Sequence, residues 1–414
     1  MSLQNCRFCS STLEHTFVDL GMSPVSNAFL KPEHLNRMEP FFPLHAFVCA
    51  SCLLVQLEQF ESPAQIFNDE YAYFSSFSDS WLEHARRYTE AMTQRFGLGP
   101  TSFVAEIASN DGYLLQYFVK RGIPVLGIEP AANCAEEARR KGVETLVRFF
   151  GVDTATELAS AGRKPDLLLG NNVLAHVPNL NDFVEGMKIL LSDSGTITME
   201  FPHLLCLMRE NQFDTIYHEH FSYFSLLTVA QVFKAHGLRV FDVDRLATHG
   251  GSLRIYVCHA ANARQTEQAS VATLLAEERT AGLDRLGTYA LFTEQVKATK
   301  RALLEFLIAA KRSGKTIVGY GAPAKGNTLL NYCGVRTDFI DYTVDRSPHK
   351  QGMFLPGVHI PVEAPSKIFQ TKPDYVLILP WNLKAEVVSQ MAGIREWGGR
   401  FVVPIPEVEV LELS

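Results

Sequence analysis

Between Phe213 and Phe224 the chain reads Phe213-Asp214-Thr215-Ile216-Tyr217-His218-Glu219-His220-Phe221-Ser222-Tyr223-Phe224, a stretch dense in groups able to move protons. Imidazole changes charge near neutral pH, and a phenol beside it can donate to it or accept from it. If Tyr217 and His220 share one turn they face the same side, and Glu219 is free to orient the imidazole. That makes a general base with its orienter. Two other readings of these residues stay open: a metal held by His218 and His220, and an aromatic packing loop.

Cysteine offers a second chemistry. Four of the eight cysteines form two C-x-x-C pairs, Cys6-Arg7-Phe8-Cys9 and Cys49-Ala50-Ser51-Cys52, while the other four are scattered singly. Two such knuckles can present four thiolates to one tetrahedral zinc. A redox C-x-x-C is the alternative, but it normally occurs once, opening a helix in a βαβ unit. A small Pro-bearing segment with little core of its own also needs a staple.

The chain that must position these groups has 414 residues, too many for one hydrophobic core, so two or three domains are expected. Hydrophobic residues make up 47% and charged residues 20%, the balance of an ordinary globular protein, and the net charge of -7 argues against a broad polyanion-binding surface. The first residues lack a basic stretch followed by an apolar run, and apolar runs elsewhere are too short to span a membrane. Cytoplasmic location is the expectation, and there paired cysteines are better metal ligands than disulfides.

From Thr101 short apolar runs alternate with helical segments, the pattern of a parallel sheet covered on both faces. Strands are predicted at 103–108, 125–128, 166–169 and 195–201, with helices at 131–141 and 180–191. Ligands of such sheets bind past the carboxyl ends of the strands. There the first strand runs into Glu106-Ile107-Ala108-Ser109-Asn110-Asp111-Gly112 and the second into Gly127-Ile128-Glu129-Pro130. Glu129 is placed to accept hydrogen bonds from the two hydroxyls of a ribose. The first loop lacks G-x-G-x-x-G, so a pyrophosphate is poorly served and NAD loses ground. A nucleoside without phosphate, such as S-adenosylmethionine, tolerates a polar, acidic loop, because its sulfonium and amino groups are cationic. Asn-Asp-Gly can equally be a capping turn. After the strand at 166–169, Asn171 is placed to meet the amino-acid part of that cofactor and His176 to face the reaction centre. A structural histidine is the competing reading.

Further on, His249-Gly250-Gly251 turns into a strand at 253–258, and its glycines either make the turn or admit a ligand. Residues 265–311 read as a helix pair broken near Gly282 to Gly287. Then Lys315 to Asn327, containing Tyr320-Gly321-Ala322-Pro323-Ala324-Lys325-Gly326-Asn327, reads as strand, Gly-rich turn and helix start. This looks like a phosphate cradle of helix-terminal amides with Lys325 as a point charge, although it is not a Walker A loop, and it can also be a turn that merely packs helix on sheet. Strands at 339–344, with Asp345 at its end, and at 375–379 complete a second α/β unit. One unit for a nucleoside and one for a phosphorylated group, flanking Tyr217 to His220, suggest a two-substrate transferase.

Read in order, the paired knuckles, E-I-A-S-N-D-G, G-I-E-P, N-V-L-A-H-V-P at 172–178, Y-H-E-H-F at 217–221, H-G-G and V-G-Y-G-A-P-A-K cover nearly the whole chain. In this the sequence resembles the zinc-containing, S-adenosylmethionine-dependent sugar C-methyltransferases that act on TDP-linked keto-deoxysugars. The resemblance implies an α/β protein with an N-terminal zinc-binding module (1–65) and a helical linker contributing to the active site (66–100). A central Rossmann-like class I methyltransferase domain (101–262) and a C-terminal second α/β domain for the nucleotide-sugar (263–414) follow. It assigns structural zinc to Cys6, Cys9, Cys49 and Cys52. Cofactor contacts fall to Glu106, Ala108, Asn110, Asp111, Gly112, Glu129, Pro130 and Asn171. Tyr73, His176, Tyr217, Glu219 and His220 would surround the sugar, with His220 as base and Tyr217 as alternative base or donor to the enolate oxygen. His249, Gly250, Tyr320, Lys325, Asn327 and Asp345 would bind the rest of the substrate. No nucleic-acid or membrane partner is expected, and the chain is expected to be a monomer or weak homo-oligomer. Two other classes remain in play: a nucleotide-sugar oxidoreductase or epimerase, and a non-catalytic zinc-containing nucleotide-binding protein.

Overall fold

The computed structural model describes residues 5–60 and 74–412. Tyr73 and the start of the predicted linker lie outside the described residues.

The largest sheet has seven strands in the order Leu238–Leu246, Ser252–His259, Thr196–Pro202, Leu167–Asn171, Val104–Ile107, Val125–Ile128, Thr145–Leu146. The five consecutive strands from Val104 are parallel and run 3-2-1-4-5, with the chain reversing its progress at Val104–Ile107. Beyond the fifth lies the one antiparallel strand of this sheet, Ser252–His259, and outside it Leu238–Leu246 returns to the direction of the five. The four predicted strands are all present, three of them shifted at an end. Their near-continuous apolar character follows from burial on both faces. The helix Asp79–Phe96 covers one face, capped by Ser78, which accepts from Trp81 N at 3.3 Å, and closed by Gly97 in the left-handed region. It buries Ala85, Tyr88 and Met92, whose spacing of three and four residues puts them on one face.

The carboxyl-terminal unit repeats this plan. Ile317–Tyr320, Thr343–Val344, Val362–Glu363, Tyr375–Ile378 and Arg400–Val403 are parallel in the same 3-2-1-4-5 order, with Glu409–Val410 antiparallel at the edge. The strand expected at 339–344 is only two residues long, because the turn Arg336 to Ile340 takes up its first half. Helices Ala269–Thr280, Leu286–Ala290 and Phe292–Arg312 connect the two units, broken at Gly282 as expected.

The third sheet is antiparallel: His15–Ser23, Phe42–Val48, Val55–Leu57 and, fourth, Ser222–Tyr223 from the proton-moving cluster. The amino-terminal module therefore grips the loop that follows Tyr217. Its core is shared with the carboxyl-terminal unit: Phe17 stacks on Phe292 with centroids 4.6 Å apart, and both are buried. Truncating either ring to alanine should cost about 3–5 kcal/mol, so the two units form one packed body.

Candidate active site

At the carboxyl end of the first parallel strand the backbone turns sharply, with Ala108 and Asn110 at positive φ, and so does Gly112 at +72°. A Cβ on Gly112 would lie 3.1 Å from the Ala138 side chain, so a glycine there lets the loop close on the helix Ala132–Arg140. Glu129 ends the second strand, beside Pro130, and accepts from Asn110 N and Ala131 N, both at 2.9 Å. Burial raises its carboxyl to about 7 against those two stabilising bonds. Asp111 is paired with Lys141 at 2.8 Å and accepts from Ser76 N at 3.4 Å, and Asn110 accepts from Ser75 N at 2.9 Å, so both also hold the start of the helical segment. Glu106 is fully buried beneath them and its carboxyl is pushed well above the usual range by desolvation. Asn171, buried at the end of the fourth strand, has neither its amide oxygen nor its nitrogen bonded among the described residues. Unpaired buried amide atoms carry a real energetic cost, which a ligand's polar groups relieve. The residues read from the sequence as cofactor contacts thus lie together past the carboxyl ends of the strands Val104–Ile107, Val125–Ile128 and Leu167–Asn171.

Tyr217 and His220 meet as expected, but the orienter differs. The Tyr217 hydroxyl lies 2.8 Å from His220 Nε2, and His220 Nδ1 lies 2.9 Å from the Thr215 carbonyl oxygen. A carbonyl only accepts, so Nδ1 carries the proton and the Nε2 lone pair takes the phenol hydrogen. Both ring nitrogens are thereby used, and Glu219 does not orient the imidazole: Asn27 Nδ2 of the amino-terminal module donates to Glu219 Oε1 at 2.7 Å. The reason is the short 3-10 turn Phe213–Thr215, which leaves the Thr215 carbonyl facing the ring. His218 turns the other way, its Nε2 3.2 Å from the Pro43 carbonyl and its ring edge-on to Phe42. A shared metal for His218 and His220 is therefore not formed.

His176 packs edge-on against His220, with centroids 4.6 Å apart. Burial lowers His176 to about 4 and, with the neighbouring His176 adding to it, holds His220 well below the ordinary imidazole range. His249 Nε2 accepts from Asn172 Nδ2 at 2.9 Å and is likewise lowered to about 4 by burial. All three rings are neutral at pH 7, the state a proton acceptor requires.

The residues of the carboxyl-terminal unit divide. Asp345 ends its second strand and accepts from Ala322 N and Ser347 N, each at 2.8 Å, repeating the bonding of Glu129. The Tyr320 hydroxyl donates to Gln390, and Asn327 Nδ2 donates to the Ser26 carbonyl while its buried Oδ1 has no partner among the described residues. Of the amides before the helix, Gly321 N bonds the Val344 carbonyl, Ala322 N is taken by Asp345, and Pro323 has no amide hydrogen. Lys325 donates to Asn382 Oδ1 at 2.8 Å and sits 4.5 Å from the Trp381 ring centroid. Trp381 Nε1 in turn donates to Asp214 at 2.7 Å. The glycine of His249-Gly250 is needed for this same ring, since a Cβ on Gly250 would lie 2.6 Å from it. Asn27, the Thr215 carbonyl and Trp381 were missed in the sequence. Only Trp381 left a signal, at the carboxyl end of a parallel strand where ligands gather.

The four amino-terminal cysteines come together from two matching knuckles. In each, the residue after the second cysteine has φ 61°, and its amide bonds the carbonyl of the first cysteine at 2.9 Å: Ser10 to Cys6, Leu53 to Cys49. Cys6 Sγ lies 3.6 Å from Cys52 Sγ and Cys9 Sγ 3.5 Å from Cys49 Sγ, and all four sulfurs lie within 4.8 Å of one another. Zinc–sulfur bonds of 2.3 Å give a tetrahedron with edges of about 3.8 Å. The donor set and its spacing fit a zinc ion.

Residues 6–67 match a family described as a zinc binding domain, 81–243 a methyltransferase domain, and 247–406 the C-methyltransferase C-terminal domain. The C-methyltransferase NovU of Streptomyces niveus is 38% identical over 412 residues, covering 99% of this chain and 97% of NovU. A ubiquinone biosynthesis O-methyltransferase of Chelativorans sp. (strain BNC1) is 25% identical over 151 residues, 34% of this chain and 58% of that protein. Among solved structures, magnesium protoporphyrin IX methyltransferase of Synechocystis PCC 6803 aligns with a TM-score of 0.35 and 13% identity, over 43% of this chain and 83% of that one. The chain belongs to the C-methyltransferase family that contains NovU. It is an α/β protein with an amino-terminal zinc-binding domain, a central class I methyltransferase domain that uses S-adenosylmethionine, and a carboxyl-terminal methyltransferase-associated domain.

Proposed function

We propose that this C-methyltransferase acts on a nucleotide-linked keto-deoxysugar, TDP-linked in the first instance, and methylates the carbon next to the ketone. One observation carries the reading: the Tyr217–His220 pair packs against His176, which follows the strand Leu167–Asn171, while the adjoining Ile216 carbonyl accepts from Thr328 of the carboxyl-terminal unit. Forming a carbon–carbon bond needs a carbon nucleophile, and a ketone supplies one once its neighbouring carbon loses a proton. S-adenosylmethionine, when bound, supplies the electrophilic methyl group.

The proton leaves through Tyr217 to His220 Nε2, which is unprotonated because Nδ1–H is fixed on the Thr215 carbonyl. His176 edges the imidazole, and Glu219, held by Asn27, would meet a sugar hydroxyl. Glu129 would take the cofactor ribose, and Asn171, with both amide atoms unbonded among the described residues, would take its amino-acid end. Asp345, bonded to its loop as Glu129 is to its own, supports a second nucleoside at the carboxyl-terminal unit, that of the sugar carrier. No helix among the described residues is long and apolar enough to cross a membrane. Thiolate-bound zinc fits the reducing cytoplasm, where we place the protein.

The test is incubation with S-adenosylmethionine and a panel of TDP-, GDP- and CDP-linked 4-keto-6-deoxysugars, followed by mass. A gain of one methylene mass on one member supports the reading; no gain on any member sinks the keto-sugar substrate.

A further inference from the structure

Lys325 stands in the first turn of the helix Ala324–Cys333, past the carboxyl end of the strand Ile317–Tyr320. The sequence pairs it with a phosphate, but its surroundings point elsewhere. The loop before it has committed the amides of Gly321 and Ala322, and Pro323 has none. The ammonium turns instead to Asn382 Oδ1 at 2.8 Å and to the face of Trp381 at 4.5 Å. Trp381 ties this corner to the reaction chamber twice, through Asp214, next to the residue whose carbonyl fixes His220, and through Gly250, next to His249. On the same helix Thr328 Oγ1 donates to the Ile216 carbonyl at 3.1 Å, one residue before Tyr217. An ammonium has three hydrogens; one is spent on Asn382, and the indole face holds the charge without using an acceptor.

We propose that Lys325 is a catalytic residue of the C-methylation, its ammonium receiving the enolate oxygen of the substrate rather than a phosphate of the carrier. The inference rests on the keto-sugar reading. In the step concerned, the carbon–hydrogen bond next to the ketone breaks and its proton passes through Tyr217 to His220 Nε2. The electron pair moves onto the ketone oxygen, where the ammonium meets the new negative charge. A fixed cation aimed at developing charge in a site with little water stabilises the transition state more than the ground state.

The same charge acts on its neighbours. The groups facing it and the imidazole are Asp214 from the 3-10 turn, Tyr217 and Tyr223 from the loop, His176 after the fourth strand and His249 from the hairpin. Lys325 contributes to lowering both His220 and His249, so it also keeps the resting base unprotonated. Burial lowers Lys325 itself, opposed by Asp214, whose carboxyl burial raises to about 6.

The experiment follows solvent deuterium entering the carbon next to the ketone, with S-adenosylhomocysteine in the cofactor site so that no methyl group can transfer. Binding of TDP alone is measured beside it. Lys325→Met should slow exchange and kcat by roughly 100- to 1,000-fold, the loss on removing one such donor, while TDP affinity and substrate KM change little. Weakened TDP binding with exchange intact at saturating sugar would overturn the proposal and return Lys325 to the phosphate. Unchanged or faster exchange would overturn it as well. Where Lys325→Met no longer binds S-adenosylhomocysteine, Lys325→Gln, which keeps a donor for Asn382, takes its place with the same expected losses. If the unaltered protein exchanges no deuterium with any keto-sugar of the panel, the keto-sugar reading itself fails, and this inference with it.

Discussion

Tyr217→Phe removes a single oxygen, the one lying 2.8 Å from His220 Nε2. His220→Asn removes that nitrogen yet leaves an amide near the place of Nδ1, in reach of the Thr215 carbonyl that Nδ1 now bonds at 2.9 Å. Neither change empties a core, so both proteins should fold and bind S-adenosylhomocysteine. General-base assistance is worth about 10²–10⁴ in rate, or roughly 2.7–5.5 kcal/mol at 1.36 kcal/mol per decade. If phenol and imidazole act as one base, the double variant loses about what the worse single variant loses. Two independent groups would instead multiply, to about 10⁴–10⁸. The assay is solvent deuterium exchange next to the ketone, followed by methyl transfer, in all four proteins of the cycle. A multiplicative loss would refute the relay, as would His220→Asn exchanging at the unaltered rate.

Two further predictions concern the bound groups. Metal analysis should give one zinc per chain, lost in Cys49→Ser. Structural zinc contributes about 10–16 kcal/mol to the modules it folds, so the variant should melt earlier and also lose activity, because Ser222–Tyr223 of the proton-moving loop pairs with the zinc module. A metal-free protein with an unchanged melt would contradict the site. For Glu129, the carboxyl raised to about 7 must lose its proton before both oxygens can accept ribose hydroxyls. Affinity for S-adenosylmethionine should therefore be full above about pH 7 and fall by up to about tenfold per unit below it, a slope that calorimetry should find absent in Glu129→Gln.

The parallel strands and the zinc knuckles were legible because each is written locally: buried strands as apolar runs, thiolate pairs as fixed spacing. Glu129 was legible for the same reason, since its place follows from where the second strand stops. What escaped depends on distant backbone. The pairing of Val55 with Tyr223 joins segments that carry no shared pattern, and so does the bond from Asn27 to Glu219. The Thr215 carbonyl escaped because a main-chain acceptor has no residue type to betray it. Glycine misled at Gly250: the space it leaves is filled by the Trp381 ring, not by a ligand. The bond from Lys325 to Asn382 also escaped, since the two lie 57 residues apart and share no local pattern.

The most direct measurement of the central claim is mass analysis of a TDP-linked 4-keto-6-deoxysugar incubated with the protein and S-adenosylmethionine in deuterated water. C-methylation next to a ketone predicts one added methyl group resistant to base, S-adenosylhomocysteine formed in equal amount, and deuterium at the same carbon in unconverted substrate. A methyl group on oxygen, or no methyl transfer to any TDP-, GDP- or CDP-linked keto-sugar, would contradict it.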